Sequence, residues 1–398
     1  MSSARSGKRK ATLPGAARSA ADLRRDAAIS KRVAEWFTEH ARVLPWRDLP
    51  PGGRDPYRVL VSELMLQQTQ ASRVAERYPA FLARFPDAGA LADADEEDVL
   101  ALWSGLGYYR RAKHLHAAAK AIEARFGGRM PRDPKELRSI PGVGAYTAGA
   151  IASLAFDLPE PAVDGNVTRV FLRLLGEPLS LNTPAAQQLA GEAARSVLTS
   201  SAKAGVGPGL INEALIELGA TICTPRSPSC ERCPLAGLCI AKREGLTDTI
   251  PAPKKAAPKK TIHALTVLAI DAAGARLVER RGDGGLWAGL WQAPTVESPE
   301  PIDPATARPG GVAPGELLDE FVHETTHRTV RFVVCAPAPG KIKPSTGALW
   351  KPTDEIARLG LSSVQRRILL DAPLKARPAD KERPPVNKRP SRYAVPAP

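Results

Sequence analysis

The sequence predicts an all-α domain followed by a smaller α+β domain. Apolar residues recur at helical spacing behind helix-start signals from about residue 27 to 240, a Pro/Ala/Lys stretch breaks the pattern at 242–261, and from Ile262 short alternating segments take over. At 398 residues with 43% apolar composition, the chain can fill both cores. No apolar run approaches the ~20 residues that span a bilayer, so a membrane protein is not expected.

Residues 1–26 form a basic arm expected to lack fixed structure. Its Ser, Ala and Arg content also fits a mitochondrial transit peptide, while the apolar core of a secretory signal is missing. Asp55-Pro56 is an N-cap followed by proline at the first helical position, and predicts a helix to about Ser72. Asp133-Pro134 repeats the device. Val99-Leu102-Trp103 and Leu210-Ile211-Leu215-Leu218 keep the helical period. The linker at 242–261 is extended and self-repelling. Beyond it, His263 to Ile270, Arg276 to Arg280 and Thr329 to Cys335 read as strands, Glu316 to Phe321 and Ser363 to Leu370 as helices, and 262–372 as one small domain. Residues 373–398 form a basic tail expected to be disordered.

The net charge is +14, of which the stretches 1–25, 242–260 and 375–398 supply +6, +4 and +5. The folded parts are therefore close to neutral. The tails and linker attract phosphate loosely, and they do not make a folded surface specific for nucleic acid.

Between the helices Pro141-Gly142-Val143-Gly144 forms a tight hairpin. Its glycines let a phosphate approach bare backbone, and the amides of the following helix N-terminus point at that phosphate, so Gly142, Val143 and Gly144 are candidate DNA-backbone contacts. Downstream, Asp164 stands just before a new apolar run. Glu63, inside Ser62-Glu63-Leu64-Met65-Leu66-Gln67-Gln68-Thr69, is flanked by leucines and amides. Most glutamates on helices are solvated, but this setting suits a carboxyl held dry with a raised pKa, able to donate a proton near neutrality. Two carboxyls in unlike surroundings divide the roles of acid and stabiliser.

Cys223, Cys230, Cys233 and Cys239 are separated by six, two and five residues. Four thiolates without a nearby histidine fit a zinc ion or an iron-sulfur cluster, and composition alone leaves both open. Cys335, alone in a strand, is expected to be a buried thiol.

Taken in order, Leu44-Pro45-Trp46-Arg47, the Glu63 helix, Gly105-Leu106-Gly107-Tyr108-Tyr109, the hairpin, Val163-Asp164-Gly165-Asn166, Asn212-Glu213 and the cysteines resemble the adenine DNA glycosylases of the MutY type, within the helix-hairpin-helix endonuclease III superfamily. The resemblance covers residues 27–372. It implies a helix-hairpin-helix glycosylase domain (27–222), an iron-sulfur loop (223–241) holding one 4Fe-4S cluster, and a Nudix-like lesion-recognition domain (262–372). It further implies that Glu63 protonates N7 of an extruded adenine while ionised Asp164 stabilises the sugar cation or captures it, with Tyr146 and Asn166 supporting Asp164. Leu44, Trp46, Arg47 and Glu213 would line the adenine pocket. Gln67, Gln68, Thr69 and Tyr108 would meet the DNA, with Gln68 and Tyr108 filling the stack the adenine leaves.

Lyases of the superfamily carry a lysine where this chain has Tyr146, so little strand cleavage is expected. The Nudix-like region lacks the glutamates that hold Mg²⁺, and its loop reads His323-Glu324-Thr325-Thr326-His327 where the family has His-x-Phe-Ser-His. Thr326 and His327 would read 8-oxoguanine, with Thr325 in place of the aromatic. The expected partner is double-stranded DNA with adenine opposite 8-oxoguanine or guanine, bound by a monomer. The expected location is the bacterial cytoplasm at the nucleoid, or an organelle or nucleus in a eukaryote. The rival readings are an endonuclease III-like lyase for oxidised pyrimidines, a non-catalytic iron-sulfur DNA sensor, and a nucleotide-pool hydrolase.

Overall fold

The computed structural model describes residues 19–253 and 258–371, which divide into two compact units between Ala256 and Ala257. Most of the basic arm, the centre of the linker (254–257) and the C-terminal tail lie outside the described residues.

The first unit is helical. Helix α1 (Ala20–His40) starts seven residues earlier than the sequence predicted, because Ser19 and Asp22 cap each other's backbone amides in a capping box. Then come α2 (Pro56–Leu66), α3 (Ala71–Arg84), α4 (Ala88–Ala92), α5 (Glu96–Leu102), α6 (Arg110–Phe126), α7 (Pro134–Arg138) and α8 (Ala145–Phe156). Helices α9 (Gly165–Leu175), α10 (Pro184–Lys203), α11 (Pro208–Thr221) and the short α12 (Ile240–Arg243) complete it. Helix α2 stops at Leu66 rather than Ser72, with Gln67 turning out of it as the C-cap.

Helices α1, α9, α10 and α11 enclose one apolar core built on Ile29, Val33, Phe37, Phe171, Val197 and Leu215. Helix α8 packs against α2 and α11 through small residues. A Cβ on Gly149 would lie 2.1 Å from the Pro161 carbonyl oxygen, so only glycine lets the segment leading to Asp164 run this close to α8.

The first part of the expected linker belongs to this unit. Ile250 is 1% exposed and packs with Leu172, Ala186 and Ala241, and the Ala252 amide donates to the Leu179 carbonyl at 3.1 Å. The composition at 242–253 is that of a linker, but one buried isoleucine and the hydrogen bonds of its backbone fasten it down.

The second unit has two sheets. One has strand order β4 (Thr295–Ser298), β1 (Lys260–Val267), β6 (Arg328–Pro337), β5 (Pro314–Glu324), with β1 and β6 parallel and the other pairs antiparallel. The other is antiparallel, with β2 (Arg276–Arg280) between β3 (Trp291–Gln292) and β7 (Ala348–Lys351). Helices α13 (Thr353–Arg358) and α14 (Ser363–Leu370) supply Ile356, Val364, Ile368 and Leu369 to the core with Phe332 and Val334. The helix expected at Glu316 to Phe321 is instead part of β5, paired with β6. Cys335 is buried in β6, as expected.

Candidate active site

Three segments remote in sequence meet around Glu63. It lies in the middle of α2 and is 6% exposed, with Oε2 buried and lacking a hydrogen-bond partner among the described residues. Burial pushes its carboxyl up from an ordinary 4.5 to about 7, opposed chiefly by a hydrogen bond from the Tyr146 side chain; the carboxylates of Glu213 and Asp164 raise it further, and Arg54 lowers it. Glu63 is therefore a dry acid that holds its proton near neutrality. Tyr146, in the first turn of α8, is itself driven well above its usual range by burial and by these carboxylates, so its hydroxyl stays protonated and able to donate.

Asp164 is the N-cap of α9. Its Oδ1 accepts from the Val167 amide at 2.8 Å and its Oδ2 from Asn166 Nδ2 at 2.7 Å. Burial raises its pKa above the ordinary 3.8, while those two donors and the nearby Arg169 favour the charged form. Asn166 thus holds the Asp164 carboxylate in place. Tyr146 differs: the side-chain hydrogen bond it makes is to Glu63, and Asp164 acts on it only through its charge.

Beside Glu63, α11 presents Glu213 and Glu217 one turn apart. Arg54 Nη1 and Nη2 grip both Glu213 oxygens at 2.8 Å, Arg47 Nε shares Oε1 at 2.8 Å, and Arg47 Nη2 reaches Glu217 at 3.0 Å. Arg42 closes the row on Glu217 through Nε at 2.6 Å and Nη2 at 2.8 Å. Trp46 is buried edge-on against Tyr78, and Leu44 is half-buried on the same loop. Arg54 escaped the sequence reading, because its partner lies 159 residues away and no local pattern announces it.

At the hairpin Gly142 holds φ +78°, and a Cβ there would meet His114 Cβ at 2.6 Å. Val143 is buried, and Gly144 is the N-cap of α8, leaving the first amides of that helix to an external acceptor. Gln68 and Tyr108 both hold left-handed backbone, with φ of 56° and 47°. That conformation is strained for a side chain with a Cβ. Thr69 donates to the Leu106 carbonyl at 3.2 Å, joining the two loops.

The four cysteines line one cavity with Arg173, Ile222 and Lys242. Arg173, 2% exposed, donates to Cys223 Sγ at 3.4 Å and to the Thr224 and Ile250 carbonyls; Arg169 Nε holds the Cys223 carbonyl at 2.7 Å. Burial, and after it the neighbouring thiols, raise Cys230, Cys233 and Cys239, the second to about 11. Bare thiolates so crowded repel one another, and positive metal relieves that repulsion. Among the described residues no trio of His, Cys, Asp or Glu is set to hold a single ion. Four thiols around one cavity are the donor set of a metal site.

In the second unit the turn 325–328 joins β5 to β6. The Thr325 amide and hydroxyl donate to the Arg328 carbonyl at 2.8 and 3.0 Å, and its Oγ1 accepts from the Arg328 amide at 2.9 Å. The threonine that replaces the family's aromatic thus closes the turn by hydrogen bonds. Thr326 and His327 are exposed at its tip.

Comparison with known proteins agrees with this geometry. Residues 61–191 match the HhH-GPD superfamily base excision DNA repair protein family, 223–239 the iron-sulfur binding domain of endonuclease III, and 265–371 the NUDIX domain. The adenine DNA glycosylase of Mus musculus is 32% identical over 86% of this chain and 77% of its own length. That of Homo sapiens is 33% identical over 87% and 74%. Among solved structures, a thermostable thymine-DNA glycosylase aligns with a TM-score of 0.47 and 28% identity, over 56% of this chain and 99% of that one.

Proposed function

The chain belongs to the adenine DNA glycosylase family, and as an iron-sulfur, DNA-binding base-excision enzyme of that family, we propose, it removes adenine mispaired with 8-oxoguanine and with guanine without cutting the strand. The observation that carries the chemical reading is the pair of buried carboxyls in unlike surroundings. Glu63 is desolvated with one oxygen unpartnered, whereas Asp164 receives two hydrogen bonds.

In this reading the extruded adenine lies against Glu63, between Trp46 and Leu44 and the carboxylate of Glu213, which Arg47 and Arg54 hold in place. Protonated Glu63 gives its proton to N7, the C1′–N9 bond breaks with its electrons passing to the base, and the ring leaves neutral. The sugar becomes an oxocarbenium ion, which Asp164 stabilises until water adds at C1′ and releases its proton. Positioned proton transfer of this kind contributes about 10²- to 10⁴-fold. Gly142, Val143 and Gly144 offer amides to a phosphate, while Gln68, with Gln67 and Thr69 behind it, and Tyr108 enter the stack. Cys223, Cys230, Cys233 and Cys239 would hold one 4Fe-4S cluster, which fixes the fold of the loop when bound. The protein acts as a monomer.

Two features support the finer assignments. Tyr146 occupies the place of the lyase lysine and has no amine to form a Schiff base. Thr326 and His327 carry a hydroxyl and an imidazole at an exposed hairpin tip, suited to reading the few atoms that separate 8-oxoguanine from guanine. The test is single-turnover base release on both mispairs by the full chain and by a protein ending at Ala256, past the fastened Ile250 and Ala252. Truncation should lower release opposite 8-oxoguanine much more than opposite guanine, with Thr326→Ala and His327→Ala each reproducing part of the loss. Equal losses on both duplexes would assign the second unit to general affinity. Borohydride should trap little enzyme on DNA, and efficient trapping would restore the lyase alternative.

A further inference from the structure

The two loops that carry Gln68 and Tyr108 are tied together by one buried side chain. Arg111, in the first turn of α6, is 6% exposed. Its Nη1 donates to the carbonyls of Leu64 at 2.7 Å and Met65 at 2.8 Å, the last turn of the helix that bears Glu63. Its Nη2 donates to the Thr69 hydroxyl at 3.0 Å, to Leu106 at 3.2 Å and to Gly107 at 3.0 Å. The guanidinium carbon lies 5.4 Å from the Tyr108 ring and 5.4 Å from the Trp103 ring. One planar cation therefore accounts for acceptors on three segments, 64–65, 69 and 106–107. Only a forked donor of fixed geometry reaches them together.

We propose that Arg111 is a positioning residue for base extrusion: its guanidinium sets the spacing of the Gln68 and Tyr108 loops and fixes it to the end of the Glu63 helix. The left-handed backbone at both residues is the reason a clamp is needed. Two strained residues in adjacent loops relax unless the surroundings hold them, and contacts of Arg111 and Thr69 join these loops. Burial lowers the guanidinium to a pKa of about 10, so it remains charged through the neutral range. The proposal rests on the reading of Gln68 and Tyr108 as the residues that enter the stack.

The test compares release of adenine opposite guanine with release opposite an abasic-site analogue, where no partner base holds the adenine in. It also follows fluorescence of 2-aminopurine at the target position, which rises on unstacking. Arg111→Lys keeps the charge and loses the fork. It should lower release opposite guanine by about tenfold or more, the worth of about one charged hydrogen bond, with a clearly smaller loss opposite the analogue and a weaker fluorescence rise. Equal losses on the two substrates with an undiminished rise, or no loss, would overturn the proposal. Tyr108→Ala run in parallel separates the premise: a selective loss there beside a uniform loss in Arg111→Lys refutes the clamp alone, while no selective loss in Tyr108→Ala removes the stack-entry reading and the clamp with it. If Arg111→Lys does not retain its folded helical signal and melting transition, Thr69→Val against Thr69→Ser decides. Valine should show the same selective loss and serine should restore extrusion; a uniform loss in valine, or none, overturns the proposal.

Discussion

The hydrogen bond from Tyr146 to Glu63 makes the pH profile of the enzyme adjustable by a single oxygen. In the proposed mechanism Glu63 must be protonated to act, so kcat/KM should fall at alkaline pH through the carboxyl's pKa of about 7 in the free enzyme. The tyrosine hydroxyl stabilises the ionised form, and removing it in Tyr146→Phe leaves the carboxylate with burial unrelieved. A hydrogen bond to a charged group contributes about 1.5–3 kcal/mol. At about 1.4 kcal/mol per pH unit its loss moves the alkaline limb upward by about one unit or more. In the same reading the acid limb belongs to Asp164, which acts ionised and whose pKa burial raises above 3.8; it should stay nearly in place because Asn166 and Val167 still hold that carboxylate. The measurement is kcat/KM for adenine release from about pH 5 to about pH 9 for both proteins. An alkaline limb that stays fixed, or moves down, would refute Glu63 as the acid whose proton governs the rate.

Glu63→Gln should bind mispaired DNA yet release almost no adenine, since an amide has no proton for N7; release at about a tenth of the normal rate would remove the assigned role. The same substitution should stabilise the fold at alkaline pH. Glu63 binds its proton more tightly folded than unfolded, so its ionisation weakens the fold as pH rises from 4.5 to about 7, by about 3 kcal/mol in full. Melting temperatures should thus differ at about pH 8 and converge towards about pH 5, and a constant offset would show that Glu63 is not desolvated. Asp164→Asn should be severely impaired, because the cation loses its charge partner, and normal turnover in single-turnover assays would make Asp164 a helix cap and nothing more. Cys239→Ser should lose iron and visible absorption, read by metal analysis after anaerobic purification; about four irons per chain in the parent protein are expected, and stoichiometric zinc would replace the cluster assignment.

Signals that act within a few residues survived the passage from sequence to structure. Asp55-Pro56 and Asp133-Pro134 open helices because a cap is defined by its own three neighbours. What failed was decided from afar. Helix α2 ends at Leu66 without glycine or proline, where Arg111 takes the carbonyls of Leu64 and Met65 from another helix. Glu316-Leu317-Leu318-Asp319-Glu320-Phe321 has the spacing of an amphipathic helix, yet β6 offers backbone partners, in register from Asp319 and irregular before it, and the segment becomes an edge strand. Arg54 and Arg111 are surface residues by composition and interior ones in fact, because their carboxylate and carbonyl partners arrive from elsewhere in the chain.

The row of Arg42, Glu217, Arg47, Glu213 and Arg54 bears on how this protein tolerates change. Each carboxylate is held by two guanidinium groups and Arg47 belongs to both, so losing one member strands a charge on its neighbour. A single step away is costly, at about 3–5 kcal/mol for a buried pair broken on one side, whereas exchanging partners together is often nearly neutral. Mutational scans that change one position at a time will therefore record the other four as intolerant, while Arg42, whose side chain is 44% exposed, tolerates change better. Libraries that vary them jointly should recover folded variants, and the epistasis between positions 54 and 213 should exceed that between either one and a distant site.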